Sequence, residues 1–175
     1  MASDLTARAK SVRLLVLDVD GVLTDGRLYY ADDGVELKAF NIQDGLGLRM
    51  LSASGVAVAI ISGRRSKALE LRAQNLGVTH VFQGAGDKLS VFEPLLIRLS
   101  LTAAQAASIG DDLPDLPVLR RCGLAVCVPE APALVREHVH FVTQRAGGRG
   151  AVRELCELIM SAQGTLETQL HEFMK

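Results

Sequence analysis

LLVLDVDGVLTDG, residues 14–26, sets an apolar run directly against two acids. Leu14, Leu15, Val16 and Leu17 read as a buried strand, and Asp18 and Asp20 follow with only Val19 between them. An unpaired carboxylate at the end of a buried strand is very costly. Something elsewhere in the chain must therefore face these charges.

Outward from this strand the segments alternate. Apolar, β-branched runs at 12–17, 56–61, 80–82, 107–109, 124–128 and 139–142 are separated by stretches of helical spacing. The helical stretches are expected over 43–53, 64–74, 88–99, 113–120, 131–137 and 150–162. Strand-then-helix repetition predicts an α/β fold, a Rossmann-like three-layer sandwich with a mostly parallel sheet. Runs such as AVAII, apolar at every position, suit central strands covered on both faces. The 175 residues suffice for one domain with a real core, and one domain over 1–175 is expected.

RLYYADDGVELKAF (27–40) breaks the alternation. Two extended runs flank an Asp33-Gly34 turn, with Asp32 beside it, and Val35, Leu37 and Ala39 alternate with Glu36, Lys38 and Phe40. This is a hairpin pattern. An isolated hairpin is marginal in water, so it must pack on the domain or pair with another chain. The tail beyond Gly164 (TLETQLHEFMK) is polar with scattered apolar residues and reads as a mobile or partner-bound end.

Bulk properties exclude several classes. A net charge of −1 gives no global field for nucleic acid or a membrane surface. The N-terminal MASDLTARAK lacks the apolar core of a signal peptide, and no run approaches the ~20 residues of a membrane span. Cys122, Cys127 and Cys156 form no CxxC pair and read as buried apolar residues in a reducing cytosol. A soluble, cytoplasmic protein is expected, with no nucleic-acid or membrane partner.

In open α/β sheets, ligands bind beyond the carboxyl ends of the strands. Four polar clusters fall there: Asp18 and Asp20 after the first strand, Ser62-Gly63-Arg64 after AVAII, Lys88 after HVF, and Asp111, Asp112 and Asp115 in GDDLPD. Each alone has a bland explanation, since a serine or acid at a helix start is commonly a cap. Four together at one rim are hard to attribute to capping. Asp18 and Asp111 suit a hard cation such as Mg2+ with oxygen ligands. Lys88 and the Ser62 hydroxyl then offer charge and a hydrogen bond to a phosphoryl group. Asp20 lies on the same side of an extended chain as Asp18, placed to move a proton.

DVDGVLT, the ISG serine, the DKL lysine and GDDLPD, in that order, resemble the four motifs of the haloacid dehalogenase-like phosphatases, over about residues 12–163. The resemblance implies Asp18 as nucleophile, forming an aspartyl-phosphate, and Asp20 as general acid and then base. It implies Ser62 and Lys88 on the phosphoryl oxygens, and Asp18, Asp111 and the Asp20 backbone carbonyl on Mg2+. Asp112 and Asp115 are expected to support the metal site, although some relatives use one of them as a ligand.

The spans from Asp18 to Ser62 and from Lys88 to Asp111 leave no room for a separate cap domain. Capless members with this hairpin, NIQDGLG (41–47) and GGRGAVRE (147–154) resemble the 3-deoxy-D-manno-octulosonate 8-phosphate (KDO 8-phosphate) phosphatase family, of lipopolysaccharide precursor biosynthesis. That resemblance implies a homotetramer whose hairpins pair and whose sites are closed by a neighbouring subunit. It implies substrate contacts at Asp20, Asn41, Ile42, Gln43, Asp44, Gly45, Arg49, Arg64, Arg72 and Lys88, with Arg149 and its glycines approaching a site. Arg64, read as lying at a helix N-terminus, is the best placed of the arginines to meet an anion. Two rivals stand beside this reading: a sister phosphatase for a nine-carbon sialic-type 9-phosphate, and a non-catalytic tetramerisation module. A phospho-receiver domain is excluded because its acids all precede the Ser/Thr and Lys.

Overall fold

The computed structural model describes residues 2–175. Its elements in chain order are α1 (Ala2–Ser11), β1 (Leu14–Leu17), β2 (Tyr29–Tyr30), β3 (Glu36–Leu37), α2 (Ile42–Ala53), β4 (Ala57–Ser62), α3 (Lys67–Leu76) and β5 (His80–Gln83). There follow α4 (Leu89–Leu99), β6 (Ala106–Gly110), α5 (Leu116–Leu119), β7 (Leu124–Cys127), α6 (Ala133–Arg136), β8 (Phe141–Val142), α7 (Ala151–Gln163) and α8 (Leu166–His171).

Six strands form one parallel sheet in the order β5-β4-β1-β6-β7-β8. β1 lies at its centre, with Leu14 opposite Ala57 on one side and Ala106 on the other. All four β1 residues are buried, as a strand covered on both faces demands. From β1 the chain steps to β4 and β5 in one direction, then crosses to β6, β7 and β8 in the other. Right-handed crossovers convert this reversal into helices on both faces. The packing agrees, α2 touching α3 and α7 while α4 touches α5. The reversal also makes the carboxyl end of β1, between β4 and β6, the switch point where such sheets bind ligands.

The hairpin forms, with Tyr30 opposite Glu36 and Tyr29 opposite Leu37, but its ladder is only two residues per strand. Gly34 turns it at φ +81°, a conformation other residues rarely adopt. Leu28, Tyr30, Val35 and Leu37 remain about half exposed or more.

Several expectations need correction. The helix expected from Arg64 begins at Lys67, because Ser66 is extended and its N–H is taken by the Gln83 side chain at 2.6 Å. Arg64 therefore lies in the β4–α3 loop rather than at a helix N-terminus. The stretch 113–120 splits into a 3-10 turn and the short α5, with Pro114 and Pro117 in their first turns. The helix α1 was not anticipated from its polar sequence. Its anchors are remote: Arg8 donates to the Gly123 carbonyl, and Gln163 donates to those of Ala9 and Val12. The tail is not uniformly loose, since α8 packs on α7 and Leu166 and Leu170 reach the core. Phe173 and Met174 beyond it are exposed.

α2 and α7 approach closely at Gly47. A side chain there would bring its Cβ to 2.8 Å from Arg153 Cδ and 3.1 Å from Arg153 Cα. Gly47→Val is expected to destabilise by about 1–3 kcal/mol through overpacking, read as a lower urea midpoint with unchanged m-value.

Candidate active site

The carboxyl ends of β1, β4 and β6 bring Asp18, Ser62 and the acids after Gly110 together. The Asp18 N–H still pairs with Ile109 O at 3.1 Å, so the sheet itself holds this residue. Its side chain is buried, and its Oδ1 accepts from Lys88 Nζ at 2.6 Å. The same ammonium donates to Asp115 Oδ1 at 2.6 Å. Asp115, also buried, accepts the Asp111 and Asp112 N–H groups on its other oxygen at 3.0 and 3.3 Å. Lys88 is thus the partner of the first acid, and Asp115 rather than Asp20 completes the clamp.

Glycines leave room for these carboxyls. A Cβ on Gly21 would overlap the Asp111 carboxylate, and one on Gly110 would overlap that of Asp115. Gly147 and Gly148 pass equally close to the backbone of Gly21, Thr24 and Asp25, the close approach expected of GGRG. Thr24 Oγ1 accepts the Gly21 and Gly26 N–H groups, both at 3.3 Å, and shapes the loop.

Carboxylate oxygens of Asp18, Asp111 and Asp115 all lie within 4.8 Å of one another. Three acids face one ammonium, so negative charge is in excess. Burial, reinforced by Asp115, pushes Asp18 up to about 6 against the pull of Lys88. Burial, with the charges of Asp18 and Asp115 and a hydrogen bond to Asp18, pushes Asp111 up to about 8. Burial works to lower the Lys88 pKa, but Asp18 and Asp115 outweigh it and raise it. A surplus of oxygen donors that would give up their protons to a metal ion fits a hard dication.

Asp20 faces the other way. Its carboxylate accepts from Lys38 of the hairpin, and Arg64 Nε lies 3.8 Å from its Oδ2. Glu36 joins both cations, pairing with Arg64 and lying 3.0 Å from Lys38 Nζ. Lys38 and Glu36 were read from the sequence only as positions of the hairpin, not as site residues. Their i, i+2 spacing puts them on one face of the hairpin, but nothing in the pattern says that this face meets Asp20.

The remaining expected contacts form a second group at the start of α2. Asp44 is buried. Its carboxylate accepts from the Arg153 N–H at 2.8 Å and the Gly150 N–H at 3.3 Å, capping α7 from another helix. Burial raises its pKa against those hydrogen bonds. Gly45 is buried beneath the Arg72 guanidinium, which donates to Asn41 O at 3.0 Å and lies 5.9 Å from the Phe40 ring centroid. Asn41 caps α2 by accepting the Gln43 N–H at 2.7 Å, and donates to Gly148 O at 3.3 Å. Ile42, Gln43 and Arg49 are exposed. Among the described residues no hydrogen bond or ion pair joins Arg49 or Arg72 to the carboxylate cluster.

A cavity of about 250 Å3 runs between Gly21, Asp25, Asp111, Gly147 and Arg149. The larger cavity beside β5, about 710 Å3, is lined by none of the clustered carboxylates and plays no part in this chemistry.

Residues 79–155 match the family of haloacid dehalogenase-like hydrolases. The 3-deoxy-D-manno-octulosonate 8-phosphate phosphatase of Yersinia pestis is 52% identical over 167 residues, 95% of this chain and 89% of that protein. A crystal structure of a probable YrbI family phosphatase from Pseudomonas syringae superposes with TM-score 0.97 at 55% identity, over 99% of this chain and 98% of that one. That of the Moraxella catarrhalis 3-deoxy-D-manno-octulosonate 8-phosphate phosphatase in complex with magnesium ion, phosphate ion and KDO superposes with TM-score 0.97 at 42% identity, over 99% of each chain.

Asp18 and Asp111 hold protons when folded that they release near pH 4 when unfolded. Between about pH 4 and pH 8 the metal-free folded state therefore binds more protons, and its stability falls as pH rises through that window. A dication displaces those protons and binds more tightly as pH rises. In thermal melts, Mg2+ is expected to raise Tm over the EDTA-treated protein about twice as much at pH 8 as at pH 5.5. Asp111→Asn should remove most of the difference, and a pH-independent Mg2+ shift would contradict the assignment.

Proposed function

The chain belongs to the KDO 8-phosphate phosphatase family of the haloacid dehalogenase-like hydrolases, and we propose that it hydrolyses KDO 8-phosphate to KDO and inorganic phosphate in a Mg2+-dependent reaction. The observation that carries the chemistry is the convergence of Asp18, Asp111 and Asp115 on one point with Lys88 inserted among them. The substrate follows from the relatives, 52% identical in one case and bound to KDO in another.

Asp18 attacks phosphorus, forming an aspartyl-phosphate, an acyl phosphate, as the bond from phosphorus to the sugar oxygen breaks. Asp20 gives its proton to the departing alkoxide. Asp20 then takes a proton from water as that water attacks phosphorus, releasing phosphate and restoring the Asp18 carboxylate. A carboxylate nucleophile divides one difficult displacement into two easier ones, and a positioned acid–base group contributes about 10²–10⁴-fold. Lys88 and the Ser62 hydroxyl hold the phosphoryl oxygens against the charge that develops on them. Mg2+, held by Asp18, Asp111 and the Asp20 carbonyl with Asp115 beside them, supplies the charge neutralisation that lets a carboxylate approach a phosphate dianion.

The acid of the sugar needs cations, and Arg64 already stands beside Asp20. Arg49, Arg72, Asn41, Ile42 and Gln43 form a face we assign to the neighbouring copy's site in a homotetramer built through the hairpin. Leu28 and Tyr30 on one face of the hairpin and Val35 and Leu37 on the other are about half exposed or more, and apolar side chains left open on a lone hairpin support that reading. No helix among the described residues is long and apolar enough to cross a membrane, and a cytoplasmic location is part of this proposal.

With Mg2+, phosphate release is expected to show a large kcat/KM preference for KDO 8-phosphate over a sialic-type 9-phosphate and p-nitrophenyl phosphate, abolished by Asp18→Asn. Equal preference for the nine-carbon ester would transfer the assignment to the sister activity. Inactivity of wild type on all three, with a folded assembly and Mg2+ present, would leave only the assembly module. Leu37→Glu on the hairpin is expected to yield smaller species in light scattering with little loss of monomer Tm. A tetramer that survives it unchanged would remove the hairpin from the interface.

A further inference from the structure

Lys38 has the environment of a residue held for a purpose. A lysine on an exposed hairpin would ordinarily extend its ammonium into water, yet only 4% of this side chain is exposed. Burying an ammonium without partners is prohibitive, and the partners here are two carboxylates, Asp20 and Glu36. Glu36 in turn pairs with Arg64, whose guanidinium also stands 3.8 Å from Asp20. Two anions and two cations thus alternate around a closed ring in which every member touches two of opposite sign. Three of the four are largely shielded from water, and only Arg64 is substantially open, 43% exposed. Shielded charges interact more strongly and are screened less by salt than surface pairs.

The ring joins three segments: the loop after β1, the hairpin, and the β4–α3 loop that carries Arg64. Asp20 belongs to the loop after β1, whereas Glu36 and Lys38 come from and just beyond β3. Glu36 is fixed by its ladder position opposite Tyr30, and Lys38, two residues on, projects from the same face. Asp20 has no other described side-chain partner besides these cations. Asp18, two residues earlier, is held by the sheet and by Lys88. The proton-transfer group is therefore oriented from outside the parallel sheet, by the hairpin.

We propose that Lys38 is the positioning residue for Asp20: it holds the Asp20 carboxylate in the orientation that both proton transfers need, without itself touching substrate. This rests on the mechanism proposed above, in which Asp20 is the acid–base group. Glu36 is the counter-charge that keeps Lys38 in place, and Arg64, at the open side of the ring, remains free to turn toward an anionic ligand. The hairpin then serves the reaction directly, through two charged side chains, apart from any part in assembly. Removing a group that orients a catalytic or ligating residue typically costs 10- to 100-fold, and misplacement by about 1 Å can cost about 100-fold.

The test is a double-mutant cycle on phosphate release from KDO 8-phosphate with saturating Mg2+, comparing wild type, Lys38→Met, Asp20→Asn and the double variant. Lys38→Met is expected to lower kcat about 10- to 100-fold with KM within about two-fold of wild type. In the Asp20→Asn background, followed at high enzyme concentration, the same change should cost less than about two-fold, because Lys38 acts only through Asp20. Lys38→Gln, of similar length and uncharged, repeats the cycle should the methionine variant lose its fold in a thermal melt. Additive losses would overturn the proposal, as would a raised KM at unchanged kcat, which would make Lys38 a substrate contact. Wild-type kcat in either Lys38 variant, with Asp20→Asn inactive, would overturn the proposal alone. Full activity of Asp20→Asn would instead overturn the mechanism on which it rests.

Discussion

The Lys88 ammonium, wedged between the carboxylates of Asp18 and Asp115, is the interaction on which this site is built. All three side chains are at most 10% exposed, so their solvation has been given up and their charges must satisfy one another. The three groups come from the end of β1, the start of α4 and the turn after β6. One cation therefore ties together the central strand and two crossover connections. Asp115 extends the tie by accepting the N–H groups of Asp111 and Asp112, which holds the loop bearing the third acid. With three carboxylates and one ammonium, the arrangement remains two positive charges short of balance. Burial, with that deficit, raises the pKa of both Asp18 and Asp111, and the surplus of carboxylates makes the cluster a receptor for a dication.

Around this clamp the backbone is drawn unusually close. Gly21, Gly110, Gly147 and Gly148 each occupy a place where a Cβ would overlap a carboxyl or another main chain. The two stretches NIQDGLG and GGRGAVRE, remote in sequence, prove to be parts of one assembly. Asn41 donates to Gly148 O, and Asp44 caps the helix that GGRG opens, accepting the Gly150 and Arg153 N–H groups. A buried carboxylate spent on a neighbouring helix's N-terminus stabilises through both hydrogen bonds and the helix dipole. The co-occurrence of the two stretches has at least this structural cause.

Much of the architecture was legible because its signal is local. Leu14–Leu17 and Ala57–Ser62 are apolar at nearly every position, and only a strand covered on both faces accounts for that in so few residues. Their polar ends then fell at one rim because all six strands run the same way. Other features were illegible for the opposite reason. α1 is held by hydrogen bonds to Gly123 and from Gln163, more than a hundred residues away, and its own sequence is largely polar. Arg64 was read as a helix start because it follows directly on the end of a strand, whereas the Gln83 side chain takes the Ser66 N–H and the helix begins at Lys67. Asp44 was expected at the substrate from the resemblance, and its capping of α7 could not be read from the sequence because α7 lies far along the chain.

From its sequence alone this protein is an α/β sheet carrying four ordered polar clusters at one edge, with the residue types that phosphoryl chemistry uses. Spacing and hydrophobic period suffice for this, since both are read over a few neighbouring residues. Only the tertiary structure decided which charge meets which. It gave Lys88 to Asp18 and Asp115, gave Lys38 of the hairpin to Asp20, and turned Asp44 away to cap α7. The physical reason is that burial makes an unpaired charge intolerable without specifying its partner. The partner is chosen by which chain segments the sheet order and the hairpin bring within a few ångströms of one another.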